Sequence, residues 1–401
     1  MLTLLRYELK KLLSRRLVWL IVALCAAYVI FINRGYISHL MGGYVQGMKD
    51  VYAAYEGRVV TDAFRQEVKD AFEQYADDHP SHIQRREQPD GTVDIESTSM
   101  ESDYYSGVCA TYQEISFQTS VEGLIKMKQS AQKALTTGMD ENGNPLLKFQ
   151  RKEYEESIKA VPVTPVIRYA AGWDTQYFFF DFNATGPIMI GLLALIVLPL
   201  FGKERSSRLE SILLCSPRRT PACIAKMLAA AVYAAALVVL FLGLELLISA
   251  ITYGLEGAFA PSKIAPGLSN IASCLFGLLA TMLAAAACAS LIALATTLTR
   301  NTLLALLIAA ILIAVQVLIS RAIDDGVSAW LFRWIDDRTL EPPWYYEYQV
   351  HARMLPVNAL LNNTVMGYGF NYMAFTLGLP IGLSALLIWL SPKLFLKRRK
   401  S

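Results

Sequence analysis

Catalytic and nucleotide-binding signatures are missing from this 401-residue chain. No G-x-x-x-x-G-K-[ST] run is present to cradle a phosphate chain. Gly202-Lys203 lacks both the upstream glycine and the hydroxyl residue that should follow. H-E-x-x-H and G-x-S-x-G are absent as well, so no metallohydrolase or serine-hydrolase motif exists and no catalytic residue is assigned. Histidine is scarce. His39, His79, His82 and His351 are the four, and the topology derived below puts them all outside, which excludes imidazole catalysis within a membrane. His79-Pro80-Ser81-His82 offers two nitrogen ligands, but the proline disfavours a helix there and no third ligand is marked. Asp140-Glu141 lacks the spaced acidic pattern of a calcium loop. No metal site is expected. No two of the six cysteines stand as C-x-x-C, and only Cys109 lies in a region read as external, so neither structural zinc nor an external intramolecular disulfide is expected.

Charge is also sparse. Charged residues are 18% of the chain against 54% hydrophobic, with a mean hydropathy of +0.36. That balance is too apolar for an ordinary soluble domain. A net charge of +3 gives no indication of a nucleic-acid partner; the distribution of charge is the informative part.

Long apolar runs supply the architecture. Residues 1–16 place Leu2, Leu5, Leu9, Leu12 and Leu13 on one face, with Arg6, Lys10 and Lys11 towards the other. This reads either as a basic amphipathic helix in the membrane interface or as a plain positive flank. Residues 17–32 form the first span. Its 16 residues cover only about 24 Å as a helix, so Arg15, Arg16 and Arg34 must snorkel to match a core of about 30 Å. No A-x-A follows it, which favours an uncleaved anchor over a signal peptide. The further spans are 176–201, led by an aromatic belt at Tyr177 to Phe180, then 222–253, 268–299, 302–320 and 372–391. Ala284 to Ala289 in the fourth permits close helix packing, and Gly378 and Gly382 flank Pro380 in the sixth. Residues 254–267 are an outer loop, Arg300-Asn301 a tight inner turn, and 392–401 a basic tail. Six spans put both termini in the cytoplasm, and every basic cluster agrees. The fold class expected is all-α, a multi-pass membrane protein.

Residues 33–175 carry most of the acidic charge; from Asn33 to Phe180 there are 15 Lys/Arg against 22 Asp/Glu. Alternation from a basic start puts this segment outside, as a mainly helical domain. Thr61-Asp62 reads as a helix start, with Phe64, Val68, Ala71, Phe72 and Tyr75 at helical spacing. Tyr104 to Thr137 is a second helical pattern, stopped by Gly138. DENGNP from Asp140 is a turn, with a shorter helix expected through Ile158. His79 to Ser102, rich in Pro, Asp and Ser, reads as a loop. The domain gates a path, receives a partner, or is an insertion without chemistry. Residues 321–371, rich in Trp and Tyr, read as an external segment that dips into the interface, its aromatics either anchoring in the membrane or lining a path. Glu245 lies deep in the third span. An ionisable group there costs on the order of 2–3 kcal/mol and must face protein or water. It belongs either to a substrate path or to a helix contact.

The loop 202–221 separates two of these spans. From Phe201 to Met227 it carries Lys203, Arg205, Arg208, Arg218, Arg219 and Lys226 against Glu204 and Glu210. Leu209, Ile212 and Leu213 recur at helical spacing and Ser216-Pro217 ends the turn. A short amphipathic helix facing the cytosol serves either as a docking site or as a lipid-surface helix. The pattern Glu204, Leu209-Glu210, Leu213-Leu214, Ser216-Pro217, Arg219 and Lys226 resembles the first cytoplasmic loop of ABC-2-type ABC transporter permeases, membrane subunits that work in efflux. Ser207 and Arg208 stand where that family usually places a glycine.

The resemblance implies a coupling helix that fits a groove on a separate cytosolic ABC ATPase subunit. It carries that role to Glu204, Arg208, Glu210, Pro217 and Arg219. It also implies a second permease subunit, as a homo- or heterodimer, contact with membrane lipid, and ATP and Mg on the partner, with no cofactor on this chain. It further implies an N-terminal helix along the cytosolic surface and short re-entrant helices before the last span. Two other classes stay open: an ion-coupled secondary transporter, for which one mid-span carboxyl and no internal repeat are thin support, and a membrane-anchored sensor or assembly protein, which has no need of six spans.

Overall fold

A computed structural model describes residues 2–14, 16–32, 43–87, 93–97, 104–117, 119–139, 146, 151, 154–155, 158, 166–170, 173, 185–199, 219–260, 269–299, 301–324 and 370–397. The chain divides into two compact units. One comprises Met1–Val29, Phe179–Leu244 and Leu275–Ser401, the other Ile30–Phe178 and Glu245–Cys274.

Run length and small residues build the first unit. Its helices are α1 (Leu2–Leu13), α2 (Arg16–Ile32), α7 (Thr185–Val197), α8 (Arg219–Tyr253), α9 (Asn270–Leu298), α10 (Thr302–Asp324) and α11 (Phe370–Lys397). Helices α2, α8 and α9 continue into the residues of the second unit. Among the described residues, α8, α9 and the Leu377–Leu394 part of α11 are long and apolar enough to cross a membrane, and the bent pair α1–α2 makes a fourth if it is one span. The chain is mostly helical, and this set of apolar helices is compatible with a multi-pass membrane protein.

Alanine lets these backbones approach. Ala285, Ala289 and Ala293 of α9 and Ala230 and Ala234 of α8 are fully buried in the shared core with Leu193 and Ile196 of α7. Helix α10 touches that core through Ala305 and Ala309, one turn apart, and leaves Leu303 and Leu307 75% and 55% exposed. Such a leucine face suits lipid and would be a liability in water. Hydroxyls buried in α9 return to their own helix: Thr281 donates to the Gly277 carbonyl at 2.8 Å and Ser290 to Ala286 at 2.9 Å.

Several sequence boundaries move. The helix expected from 222 begins at Arg219, α10 runs on to Asp324, and α11 continues through Lys397 into the expected tail, where Lys393 Nζ sits 3.2 Å from the Trp389 ring centroid. Residues 325–369 and 200–218 lie outside the described residues, and with them most of the aromatic external segment and the body of the basic loop.

The second unit is mainly helical, with one strand pair that was not expected. It contains α3 (Tyr44–Tyr55), α4 (Asp62–Asp78), α5 (Tyr104–Phe117) and α6 (Thr119–Thr137), together with a hairpin of β1 (Ile83–Glu87) and β2 (Val93–Ser97). The hairpin occupies the stretch expected to be a loop. Its antiparallel register sets Ile83 opposite Ser97 and Arg86 opposite Asp94. Pro89-Asp90-Gly91 between the strands is the turn signal that the low apolar content obscured. The start at Thr61 is as expected, for its hydroxyl accepts from the Phe64 amide at 3.1 Å. So is the stop at Gly138, which has φ 69° and donates to the Ala134 carbonyl at 2.8 Å. The helix expected through Ile158 falls mostly outside the described residues.

Helices α3 and α5 cross in contact. A Cβ on Gly47 would strike the Tyr104 carbonyl, and one on Gly107 the Tyr44 carbonyl. Around this crossing, aromatic rings fill the space. Phe72 stacks on Tyr112 at 5.1 Å, Tyr55 meets Phe64 edge-on at 5.7 Å, and His82 lies flat on Tyr105 at 4.1 Å.

Candidate functional site

The basic loop enters α8, so the first turns of that helix are the described part of the candidate coupling region. Arg219 is the first helical residue, not a loop residue, and Pro221 falls in the first turn, where a missing N–H costs little. Two turns on from Arg219, Lys226 points into the core. Cys223, Met227, Ala229 and Ala230 around it are buried, and Lys226 itself is fully buried. An ammonium group in such surroundings requires a counter-ion.

Glu8 supplies it. Lys226 Nζ donates to Glu8 Oε1 at 2.8 Å, across 218 positions of sequence. Glu8 sits in α1 on the stripe Leu5–Glu8–Leu9–Leu12. Leu12 is buried in the first unit's core, and Leu5 and Leu9 pack against it. Much of the amphipathic helix's apolar face therefore meets protein, while Leu2 and Leu13 stay exposed. The helix ends firmly. Trp19 Nε1 donates to the Leu13 carbonyl at 2.7 Å, and Lys10 and Lys11 occupy the last turn, where positive charge suits the helix dipole.

The pair is not fully satisfied. Among the described residues, Glu8 Oε2 is buried with no hydrogen-bond partner. Removing Lys226 strands the Glu8 carboxylate, at a cost of about 3–5 kcal/mol. The pair thus ties α1 to the beginning of α8.

The far end of α8 is held by the second unit's own residues. Tyr169 donates from its hydroxyl to the Tyr253 carbonyl at 3.1 Å, and Trp173 Nε1 to the Gly254 carbonyl at 2.8 Å, taking up carbonyls that the helix end leaves free. Lys49 pairs with Glu256 at 3.1 Å, and Asn270 Nδ2 donates to the Gly257 carbonyl at 3.0 Å.

Of the residues singled out from sequence, Glu204, Arg208, Glu210 and Pro217 lie outside the described residues. Glu245 in α8 is buried, 7% exposed, and engaged with its surroundings. Among the described residues, no cluster of His, Cys, Asp or Glu could hold a metal ion. No protein-family model, curated protein or solved structure matches the chain.

Sequence reasoning missed Glu8 and counted Lys226 only as part of the basic loop. A signal existed for each: a lone acid on the leucine stripe of a basic helix, and a lysine a full two turns inside an apolar one. That the two meet is a fact of packing alone.

Proposed function

We propose that the chain is the permease subunit of an ABC-2-type ABC transporter, an exporter in a bacterial cytoplasmic membrane driven by ATP hydrolysis on a separate subunit. It has six spans, both termini in the cytoplasm and residues 33–175 outside. Two such permease subunits pair with two ATPase subunits. The observation that carries this reading is the Phe201 to Met227 segment, with six basic residues and an amphipathic pattern between two apolar helices.

The chain's own residues suit the transmission step. Arg219 opens α8, a continuous helix of 35 residues, about 52 Å long against a hydrocarbon core of about 30 Å. A push delivered to the loop is delivered to the end of a rod, with no flexible joint between Arg219 and the span. Closure of the ATPase subunits on Glu204, Arg208, Glu210 and Pro217 would rock the spans between two access states.

The test is co-purification in gentle detergent followed by substitution. A stoichiometric ATPase should accompany the chain, and Glu204→Ala or Arg219→Ala should lower transport at least about tenfold with normal insertion, the scale expected when a fixed contact is lost. Wild-type transport rates in both variants would remove the coupling role. Absence of an ATPase would favour the secondary-transporter or sensor reading.

A further inference from the structure

We propose that Glu8 and Lys226 are positioning residues, whose buried ion pair makes the N-terminal helix and the first turns of α8 one moving body. Three observations carry it. Lys226 is fully buried and Glu8 nearly so, at 0% and 9% side-chain exposure, with 2.8 Å between their charged atoms. The Glu8 carboxylate cannot leave Lys226 without being stranded in an apolar core. Glu8 lies between Leu5 and Leu12 on the stripe that α1 turns to that core, so the ionic and apolar contacts of α1 share one face. Among the described residues the second carboxylate oxygen, Glu8 Oε2, is buried without a hydrogen-bond partner, and the bond to Lys226 is the polar contact that holds this carboxylate.

The consequence is mechanical. Arg6 and Lys10 of α1 are exposed, and Lys226 stands seven residues beyond Arg219, where the basic loop joins the helix. Displacing α1 moves the beginning of α8, and displacing the loop moves α1. The N-terminal helix is a second input to the same span. The transport consequence rests on the permease reading above; the tie between the two helices does not.

The experiment has two arms. In the first, Leu12→Cys, buried at 1% exposure, is labelled with a maleimide in the detergent-solubilised full chain and read by peptide-resolved mass spectrometry. Labelling should be slow with the pair intact and at least about tenfold faster with Glu8→Gln or Lys226→Met, since removing either half of a buried ion pair loosens the contact. The exchanged pair E8K/K226E should return it to within about threefold of the parent, as a double-mutant cycle requires of interacting groups. Native Cys109, in the second unit, should keep its own slow labelling throughout and so report that the fold is intact. If Leu12→Cys stays protected in both single variants, or if the exchange restores nothing, the ion pair is not the tie.

In the second arm, the same variants are assayed with the co-purified ATPase. Transport per ATP hydrolysed should fall with Glu8→Gln and recover with the exchange, at unchanged ATPase stoichiometry. Loosened α1 with unchanged transport per ATP would overturn the positioning role. If no ATPase accompanies the parent chain, the permease reading fails, and the labelling arm still decides whether α1 and α8 move together.

Discussion

Replacing Gly107 with alanine tests a close approach of two helices in the second unit. Two effects oppose each other. Alanine in place of glycine inside a helix is favourable by about 1 kcal/mol. Against it, the new Cβ would fall on the Tyr44 carbonyl oxygen, with the carbonyl carbon at 2.9 Å and Cα at 3.1 Å. These are backbone atoms of α3 and cannot rotate aside, so α3 and α5 must separate. Overpacking of this kind costs about 3 kcal/mol at the upper end of the usual range, which leaves a net destabilisation of about 2 kcal/mol.

The reporter is built in. Cys109 follows two residues later, is 4% exposed and packs with Phe72, Ala76 and Ile83. Burial pushes its thiol up to about 11, so in the closed form it is both shielded and protonated at neutral pH. Maleimide labelling of Cys109 should therefore follow local opening and run about 30-fold faster in Gly107→Ala than in the parent chain, since about 1.4 kcal/mol is a factor of ten. Gly191→Ala, whose Cβ would enter open space in α7, should leave the rate unchanged. Labelling of Gly107→Ala at the parental rate or slower would refute the reasoning, because helix propensity would then have outweighed the clash.

Thr61→Ala removes the hydroxyl that accepts from the Phe64 amide, and should destabilise α4 by about 1 kcal/mol, seen as faster amide exchange confined to its first turn. Alkaline pH should loosen the second unit, because the Tyr75 hydroxyl is pushed up to about 12 from 10.0 and the Cys109 thiol to about 11 from 9.0, burial being the first cause of each. Both groups are neutral when protonated, so their contribution is complete below pH 9.0, the ordinary value of the thiol, and is lost as pH rises through the folded values. The tyrosinate absorbance difference between the parent chain and Tyr75→Phe should accordingly titrate near 12; a midpoint at 10.0 would show Tyr75 to be solvated.

Much of this molecule follows from one-dimensional pattern. An apolar run of helix-forming residues is visible wherever it occurs, since its length alone decides whether it suits a hydrocarbon layer. Helices α8 and α9 are therefore found within a few residues of where they were expected. The ends at Thr61 and Gly138 are legible for a related reason: a cap is made by residues three or four apart, so its chemistry is contained in a short window. Where charge and turn residues dilute the pattern, that window carries too little information. Helix α3 begins after a Gly-Gly pair, and β1 and β2 are five residues each and rich in charge.

Contacts between distant segments are a different matter. That Lys226 is neutralised by Glu8, that Gly107 lies against Tyr44, and that Trp173 closes the end of α8 at Gly254 depend on which helix faces meet. Periodicity gives a helix an apolar stripe, and many stripes fit many others. Shape and burial choose among them. A lysine reads as a surface charge in any local window, and only the packed core turned this one into half of a buried pair.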